Sequence, residues 1–186
     1  MPLPKSSAES KEDLIEIVDF EGKVLRTCNY REAFEKNLLK KCVHVLVFNY
    51  EGKVLLEFRK NDKRFFPSYW NSSAAGFVGV GESELEAAER ELKEELGVSA
   101  GLHFIERFII DTADDCCINY FFACLHDGPF ECNEAEKIQF FEPSEAKQLK
   151  ITPHLRLELN LFENNICPLI QATFKKTSET ASNRGF

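Results

Sequence analysis

No apolar run in these 186 residues approaches the roughly 18 residues that are needed to cross a bilayer. The first eleven residues also lack the apolar core of a signal peptide. Both absences argue against a membrane-spanning or secreted protein. We therefore expect a soluble, cytoplasmic protein with no membrane partner.

Basic residues are outnumbered by acidic residues in this chain. Lysine and arginine number 23 against 31 aspartate and glutamate residues, which gives a formal net charge of −8. This balance argues against a surface that coats a nucleic-acid polymer. It leaves room for a small phosphorylated substrate, because a bound metal ion inverts the local electrostatics.

The cysteines show neither a disulfide pattern nor a metal-binding pattern. They are seven in number, an odd count, and none of their spacings makes a CxxC motif. We expect reduced and mostly buried thiols. Cys116 and Cys117 are adjacent, so on a strand their side chains point to opposite faces and we expect no joint function.

Length and composition predict a single domain with one core. The hydrophobic content is 44%, and 17 phenylalanines supply much of the apolar volume. Neither an internal repeat nor a linker is visible. We expect flexible ends at residues 1–11 and 175–186, with one domain over residues 12–174.

Strand-like and helix-like segments alternate along this domain. We expect strands at 13–20, 24–28, 42–49, 54–59, 98–111, 118–125 and 138–141, and a strand that carries Gly76. A short helix is expected at 30–39. After Thr152, alternating leucines fit a strand, whereas Pro153 as a first-turn residue and the length of the segment favour a helix.

The segment from Gly76 to Val98 contains a helix with clear ends. Ser83 and Glu86 form a capping-box pattern. Gly97 occupies the position at the C-terminal end of the helix where a left-handed residue is typical. Between them we expect an apolar stripe facing the core, with the acidic residues pointing elsewhere. The stripe consists of Leu85, Ala88, Leu92 and Leu96.

Three carboxylates on this helix indicate a metal site. Glu91, Glu94 and Glu95 are related as i, i+3 and i+4, which brings them within about 6 Å of one another. Like charges at that spacing repel unless a cation lies over them, and hard divalent cations prefer carboxylate oxygens. The alternative is a solvated acidic face, which is common in glutamate-rich helices.

The full spacing resembles the Nudix box of the Nudix hydrolases. It runs from Gly76 through five residues to Glu82, then through seven residues to Arg90-Glu-Leu-Lys-Glu-Glu-Leu-Gly-Val98. The resemblance implies an α/β fold, the Nudix-type α/β/α sandwich with a mixed sheet. It implies Mg²⁺ or Mn²⁺ as cofactor, held by Glu91, Glu94 and Glu95 with the Gly76 carbonyl. Glu82, Arg90 and Gly97 would be structural, with Arg90 paired to glutamates of the box.

A basic, aromatic loop precedes the box, at residues 59–70. It is either a solvated turn with a hydrophobic anchor or a site for phosphate oxygens. A similar stretch occurs in Nudix proteins related to isopentenyl-diphosphate isomerase, and this implies Arg59 and Lys63 as diphosphate contacts. Those isomerases carry a reactive cysteine and a histidine on either side of the box glycine. This chain has Ala75 and Phe77 there, and alanine cannot transfer a proton.

The predicted reaction is metal-dependent hydrolysis of a diphosphate linkage in a small molecule, of the nucleoside diphosphate class. The general base is left open among Glu94 and Glu95 in the box and Glu134 and Glu136 before the 138–141 strand. His44 is favoured as a structural residue over a metal ligand. An isomerase-like enzyme and a non-catalytic nucleotide-binding module are the alternatives, and the oligomeric state, a homodimer included, is left open.

Overall fold

The computed structural model describes residues 14–112 and 115–165. The two terminal segments predicted to be flexible, 1–11 and 175–186, lie outside the described residues. In chain order the described elements are β1 (Leu14–Val18), β2 (Val24–Asn29), α1 (Tyr30–Glu35), β3 (Lys40–Phe48), β4 (Val54–Phe58), β5 (Trp70–Asn71), β6 (Ala74–Phe77), α2 (Glu84–Leu96), β7 (His103–Asp111), β8 (Cys116–Leu125), β9 (Lys137–Phe141), α3 (Pro143–Ala146) and α4 (Pro153–Asn165).

Strand β3 is the centre of the mixed sheet. It pairs in parallel with β8 along its whole length, from Lys40 opposite Cys117 to Phe48 opposite Leu125. Its other edge pairs antiparallel with β1, β6 and β4. Strand β4 continues to β5 and β9, and β8 continues to β7. This arrangement places β6, which carries Gly76, beside the middle of β3.

The two faces of β3 bury different helices. Val43, Val45 and Val47 share a core with Leu92 and Leu96 of α2. The alternate residues Leu46 and Phe48 share a second core with α4, through Leu155 and Leu159. Because successive strand residues point to opposite faces, one strand connects both cores. The predicted α/β/α sandwich with a mixed sheet is confirmed.

Several element boundaries differ from the sequence prediction. Helix α1 ends at Glu35 rather than residue 39, because the amide of Leu38 turns back to the Ala33 carbonyl and Asn37 adopts a left-handed φ of 47°. Strand β7 begins at His103 rather than Val98, and Val98 instead packs in the core beneath α2. The short elements β5 and α3 were not predicted.

The alternative left open after Thr152 is settled in favour of a helix, which begins at Pro153. Trp70 packs in the same core as this helix. Within residues 14–112 and 115–165, no helix is long and apolar enough to cross a membrane. The six described cysteines are free, and all but Cys132 are buried; Cys167 lies outside the described residues.

Candidate metal centre and active site

Helix α2 has the predicted ends. The Ser83 hydroxyl accepts a hydrogen bond from the Glu86 amide, and the Glu86 carboxylate accepts one from the Ser83 amide at 2.9 Å. Gly97 ends the helix in the left-handed conformation, with a φ of 68°. A side chain at Gly97 would collide with Glu131. The loop after β8 therefore packs tightly on the C-terminal end of the helix.

The predicted orientation of the helix is wrong at two positions. Leu85 was assigned to the apolar stripe but is 45% exposed, and Glu95 was assigned to the acidic face but is only 7% exposed. The buried face consists of Ala87, Ala88, Leu92, Glu95 and Leu96. The helix is rotated so that Glu95 points into the protein while Glu94, with 58% of its side chain exposed, remains in solvent.

Arg90 is the cation that lies over the acidic residues. Its Nε and Nη2 donate to the two oxygens of Glu82 at 2.9 and 3.0 Å, and Nη1 donates to Glu91 at 2.6 Å and Glu94 at 3.2 Å. Nη2 also donates to the Phe77 carbonyl. The hydrogen bond from Arg90 lowers the pKa of Glu82. Through these bonds Arg90 connects the loop before α2, the helix and strand β6.

Glu91 lies against the backbone of Gly76. A Cβ atom added to Gly76 would overlap the Glu91 carboxylate, so only glycine allows this approach. Burial raises the pKa of Glu91, while the bond from Arg90 lowers it and the charges of Glu94 and Glu134 raise it further. The structure thus brings together two of the predicted site residues, Gly76 and Glu91. Glu134 lies close enough for its charge to raise the pKa of Glu91.

Glu95 is a buried carboxylate with an unpaired oxygen. Its Oε2 has no hydrogen-bond partner among the described residues. Burial raises its pKa well above the usual range, and the charges of Glu57, Glu91 and Glu134 raise it further. An orphaned buried carboxylate oxygen is destabilising unless a cation or proton satisfies it.

The sequence interpretation missed Glu57 on strand β4. Glu57 is 7% exposed, and its Oε1 accepts from Asn71 Nδ2 at 3.1 Å and Arg59 Nη1 at 3.3 Å. Burial raises its pKa, against the bond from Asn71 and the charge of Arg59. A signal was present, because a glutamate interrupts the otherwise apolar strand Val54–Phe58.

Two cations of the basic loop border the same site. Arg59 Nε donates to the Phe65 carbonyl at 3.1 Å, which fixes the loop. Lys63 Nζ donates to Glu134 at 3.1 Å, and its charge opposes part of the rise in the pKa of Glu57 and of Glu95. Glu134 is therefore brought to the site, whereas Glu136 is exposed and only its amide is bonded, to the Phe58 carbonyl.

The residues fit a divalent cation, although their side chains do not form a ready-made cage. Within the described ranges, no three His, Cys, Asp or Glu side chains are disposed to hold a metal ion. Arg90 now occupies one oxygen of Glu91 and one oxygen of Glu94. A cation would bind the unpartnered Glu95 oxygen and the Glu91 carboxylate, which lies against the backbone of Gly76.

An aromatic cavity of about 160 Å³ adjoins this site. Phe34, Phe65, Phe66 and Phe77 form its apolar wall, and Arg59 and Gly76 lie at the side of the acidic residues. The remaining lining residues are Cys42, His44, Asn71, Ala75, Asp115, Thr152 and His154. The cavity could hold a flat or apolar group next to the carboxylates.

The histidines of this cavity belong to a buried polar layer. His44 Nε2 lies 3.0 Å from Asn119 Oδ1, and Nδ1 lies 3.0 Å from Glu158 Oε1 and 3.2 Å from Ser72 Oγ. The His154 ring stacks on His44 with centroids 5.0 Å apart, a role that no sequence pattern indicated. Both nitrogens of His44 are engaged, which supports its structural interpretation.

The comparisons with known proteins agree with this geometry. The family model of the NUDIX domain matches residues 38–160. The chain belongs to the Nudix family. A Nudix hydrolase of Yersinia pestis is 30% identical over 154 residues, covering 80% of this chain and 84% of that protein. One of Pseudomonas aeruginosa is 30% identical over 162 residues, covering 83% and 96%. Both are described as uncharacterized.

Solved structures show the same Nudix fold at low identity. DR0079 of Deinococcus radiodurans has a TM-score of 0.63 and 19% identity, covering 79% of this chain and 97% of that one. The Nudix domain of Shewanella oneidensis NrtR, solved with ADP ribose, has a TM-score of 0.58 and 20% identity, covering 72% and 91%. These structures show the fold, and the family model together with the two relatives shows that the protein is a Nudix hydrolase.

Proposed function

We propose that this Nudix hydrolase cleaves a diphosphate linkage with the help of a divalent cation, and that its substrate is a nucleoside diphosphate joined to another group. The observation that carries the proposal is the buried, unpartnered Oε2 of Glu95, which lies one helical turn after Glu91, the residue that contacts Gly76. Such an oxygen is costly in a protein that never binds a cation there.

Glu91 and Glu95 would hold Mg²⁺ or Mn²⁺, with the Gly76 carbonyl and Glu94 as further ligands. When bound, the ion would neutralise phosphate charge and lower the pKa of a water molecule. Arg90 holds one oxygen of Glu91 and one of Glu94, but the two residues differ in exposure. The Glu94 side chain is 58% exposed and that of Glu91 13%, and Glu95 is buried. Glu91 and Glu95 are therefore the principal ligands in this account.

Arg59 and Lys63 would contact the diphosphate oxygens. Both lie beside the acidic residues, and both are now paired with carboxylates, Arg59 with Glu57 and Lys63 with Glu134. Charge-assisted bonds to phosphate oxygens could replace these pairs. Release of Lys63 would free Glu134, which we assign as the general base that takes the proton from the attacking water.

The aromatic cavity would hold the group attached to the diphosphate. Four phenylalanines line it, and Arg59 lies at its border. Planar rings stack favourably on such a wall. NrtR, one of the fold neighbours, was solved with ADP ribose, a nucleoside diphosphate sugar, and this supports the same substrate class here.

The test is a substrate screen with Mg²⁺ or Mn²⁺ present. Nucleoside diphosphate sugars, dinucleoside polyphosphates, coenzymes, oxidised nucleotides and isoprenoid diphosphates are incubated with the protein, and phosphate is measured after a coupled phosphatase. We expect turnover of at least one nucleoside diphosphate derivative, and turnover of none of the panel would contradict the proposal.

The screen also separates the two alternative functions. An enzyme related to isopentenyl-diphosphate isomerase would share the fold and the metal, but Ala75 offers no proton to the cavity that it lines. A non-catalytic nucleotide-binding module would bind members of the panel without releasing phosphate. Its site would not need the buried Glu95, and retention of that residue favours the enzyme.

The cellular setting is a further part of the proposal. Six described cysteines are free and five of them are buried, which suits a reducing compartment. We therefore place the protein in the cytoplasm.

A further inference from the structure

We propose that Glu57 is an additional oxygen ligand of the metal ion, contributed by the sheet opposite helix α2. The inference rests on the proposed function, because it concerns the same cation. It adds a residue that lies outside the Nudix box, 34 positions before Glu91 in the sequence.

The position of Glu57 follows from the alternation of strand β4. Leu55 belongs to the core that contains α2, whereas Val54 and Leu56 belong to the core that contains α4. Residues two apart on a strand share a face, so Glu57 is directed toward α2 like Leu55. Its cross-strand neighbour Ile138 also packs against the α2 core.

The contacts of Glu57 leave one oxygen available. Asn71 and Arg59 both donate to Oε1. A purely structural role, in which Glu57 anchors these two side chains, explains the Oε1 contacts alone. It does not explain why a second carboxylate, Glu95, is buried within electrostatic reach.

Glu95 supplies the second, independent observation. Its Oε2 is unpartnered, and the residue is more than nine-tenths buried. The backbone brings the two residues together, because one turn bonds beside both of them. The Asn133 amide donates to the Glu95 carbonyl at 3.2 Å, and the Glu136 amide donates to the Phe58 carbonyl at 2.9 Å. Two buried carboxylates that lie close together destabilise a protein unless a proton or a cation compensates their charge. Oxygen ligands from β4 and α2 would meet this requirement and give the metal a fixed position between sheet and helix.

The test measures Mn²⁺ binding by the full chain without substrate. The protein is stripped with chelator, and free Mn²⁺ is followed by electron paramagnetic resonance. Glu57→Gln keeps an oxygen for Asn71 and Arg59 but removes the charge, and we expect it to weaken Mn²⁺ binding about tenfold to a hundredfold. The matched control is Glu51→Gln, an exposed glutamate paired only with Lys53, and we expect it to bind like the wild type.

An affinity of Glu57→Gln equal to that of Glu51→Gln would overturn the inference. If Glu57→Gln does not fold, the second variant is Glu57→Asp, which keeps the charge but withdraws the carboxylate by one methylene. We expect this variant to weaken Mn²⁺ binding as well. Unchanged Mn²⁺ binding in Glu57→Asp would also overturn the inference. Wild-type protein that binds no Mn²⁺ would overturn the proposed function together with this inference. Loss of binding in Glu95→Gln but not in Glu57→Gln would overturn the inference alone.

Discussion

Arg90 and Glu82 form a bidentate ion pair that connects the loop before helix α2 to the middle of that helix. The two N–H···O distances are 2.9 and 3.0 Å, and both side chains are partly buried, with 35% and 19% of their surfaces exposed. Lysine could not reproduce this geometry, because its ammonium group is a single point of charge.

Arg90→Ala should lower both stability and activity. The substitution removes the donor of Glu91, leaves Glu82 with the Gly79 amide as its donor, and frees the Phe77 carbonyl. We expect a loss of about 1 to 3 kcal/mol in the free energy of unfolding, a range reduced for the partial exposure of the arginine. Chemical denaturation measures it, with the exposed Arg156→Ala as control. Equal stability of the two variants would refute the structural role of Arg90.

Glu95→Gln and Glu94→Gln should differ, because their surroundings differ. Glu95 is buried and unpartnered, whereas Glu94 is in solvent. We expect Glu95→Gln to lower kcat by about 10² to 10⁴ and Glu94→Gln to lower it less. The exposed Glu89→Gln is the control. Metal-free Glu95→Gln should melt no lower than the wild type, since it loses a buried charge. The reverse order of the two activity losses would contradict this site.

Gly76→Ala should disable the site while leaving the fold in place. The new methyl group would displace the Glu91 carboxylate, which is the movable end of a side chain. We expect an activity loss of about 10² or more, comparable to removal of a positioned group. Gly101→Ala is the matched control, because a side chain there meets nothing. Full activity in both variants would contradict the claim that activity requires Glu91 to lie against Gly76.

The protein should not interconvert isopentenyl and dimethylallyl diphosphates. Ala75 pairs with His44 across the sheet, and Phe77 pairs with Cys42. Loss of a positioned acid removes about 10² to 10⁴ in rate. Incubation in deuterated water followed by mass spectrometry should show no deuterium in the recovered isoprenoid. Incorporation at an enzyme-like rate would favour the isomerase. Cys42→Ser would then test Cys42, which is also among the residues that line the cavity.

The sequence predicted the local structure of the box well because its signals are local. The capping box at Ser83 and the glycine at position 97 specify the ends of α2 through bonds within a few residues. Alternation and β-branched residues likewise indicated the central strands. Short elements such as β5, which consists of two residues and pairs with β4, depend on tertiary contacts and leave no periodic pattern.

The chemistry of the site was harder to predict because it depends on rotation and on distant neighbours. Helical spacing placed Glu94 and Glu95 together, yet a small rotation of α2 buries one and exposes the other. Leu85 was misassigned for the same reason. Glu57 meets Asn71 and Arg59 only after β4 and β5 have paired. Helix periodicity defines a face but not its angle toward the sheet.

The dependence of turnover on a divalent cation tests the central claim most directly. Three carboxylates repel an anionic diphosphate unless a cation is present. The measurement is phosphate release from the best substrate of the screen, in water labelled with ¹⁸O, by protein stripped with chelator and then supplied with Mg²⁺ or Mn²⁺. We predict no turnover without metal, and restored turnover with ¹⁸O in a phosphate product when metal is added. Undiminished turnover by the metal-free protein would contradict the account.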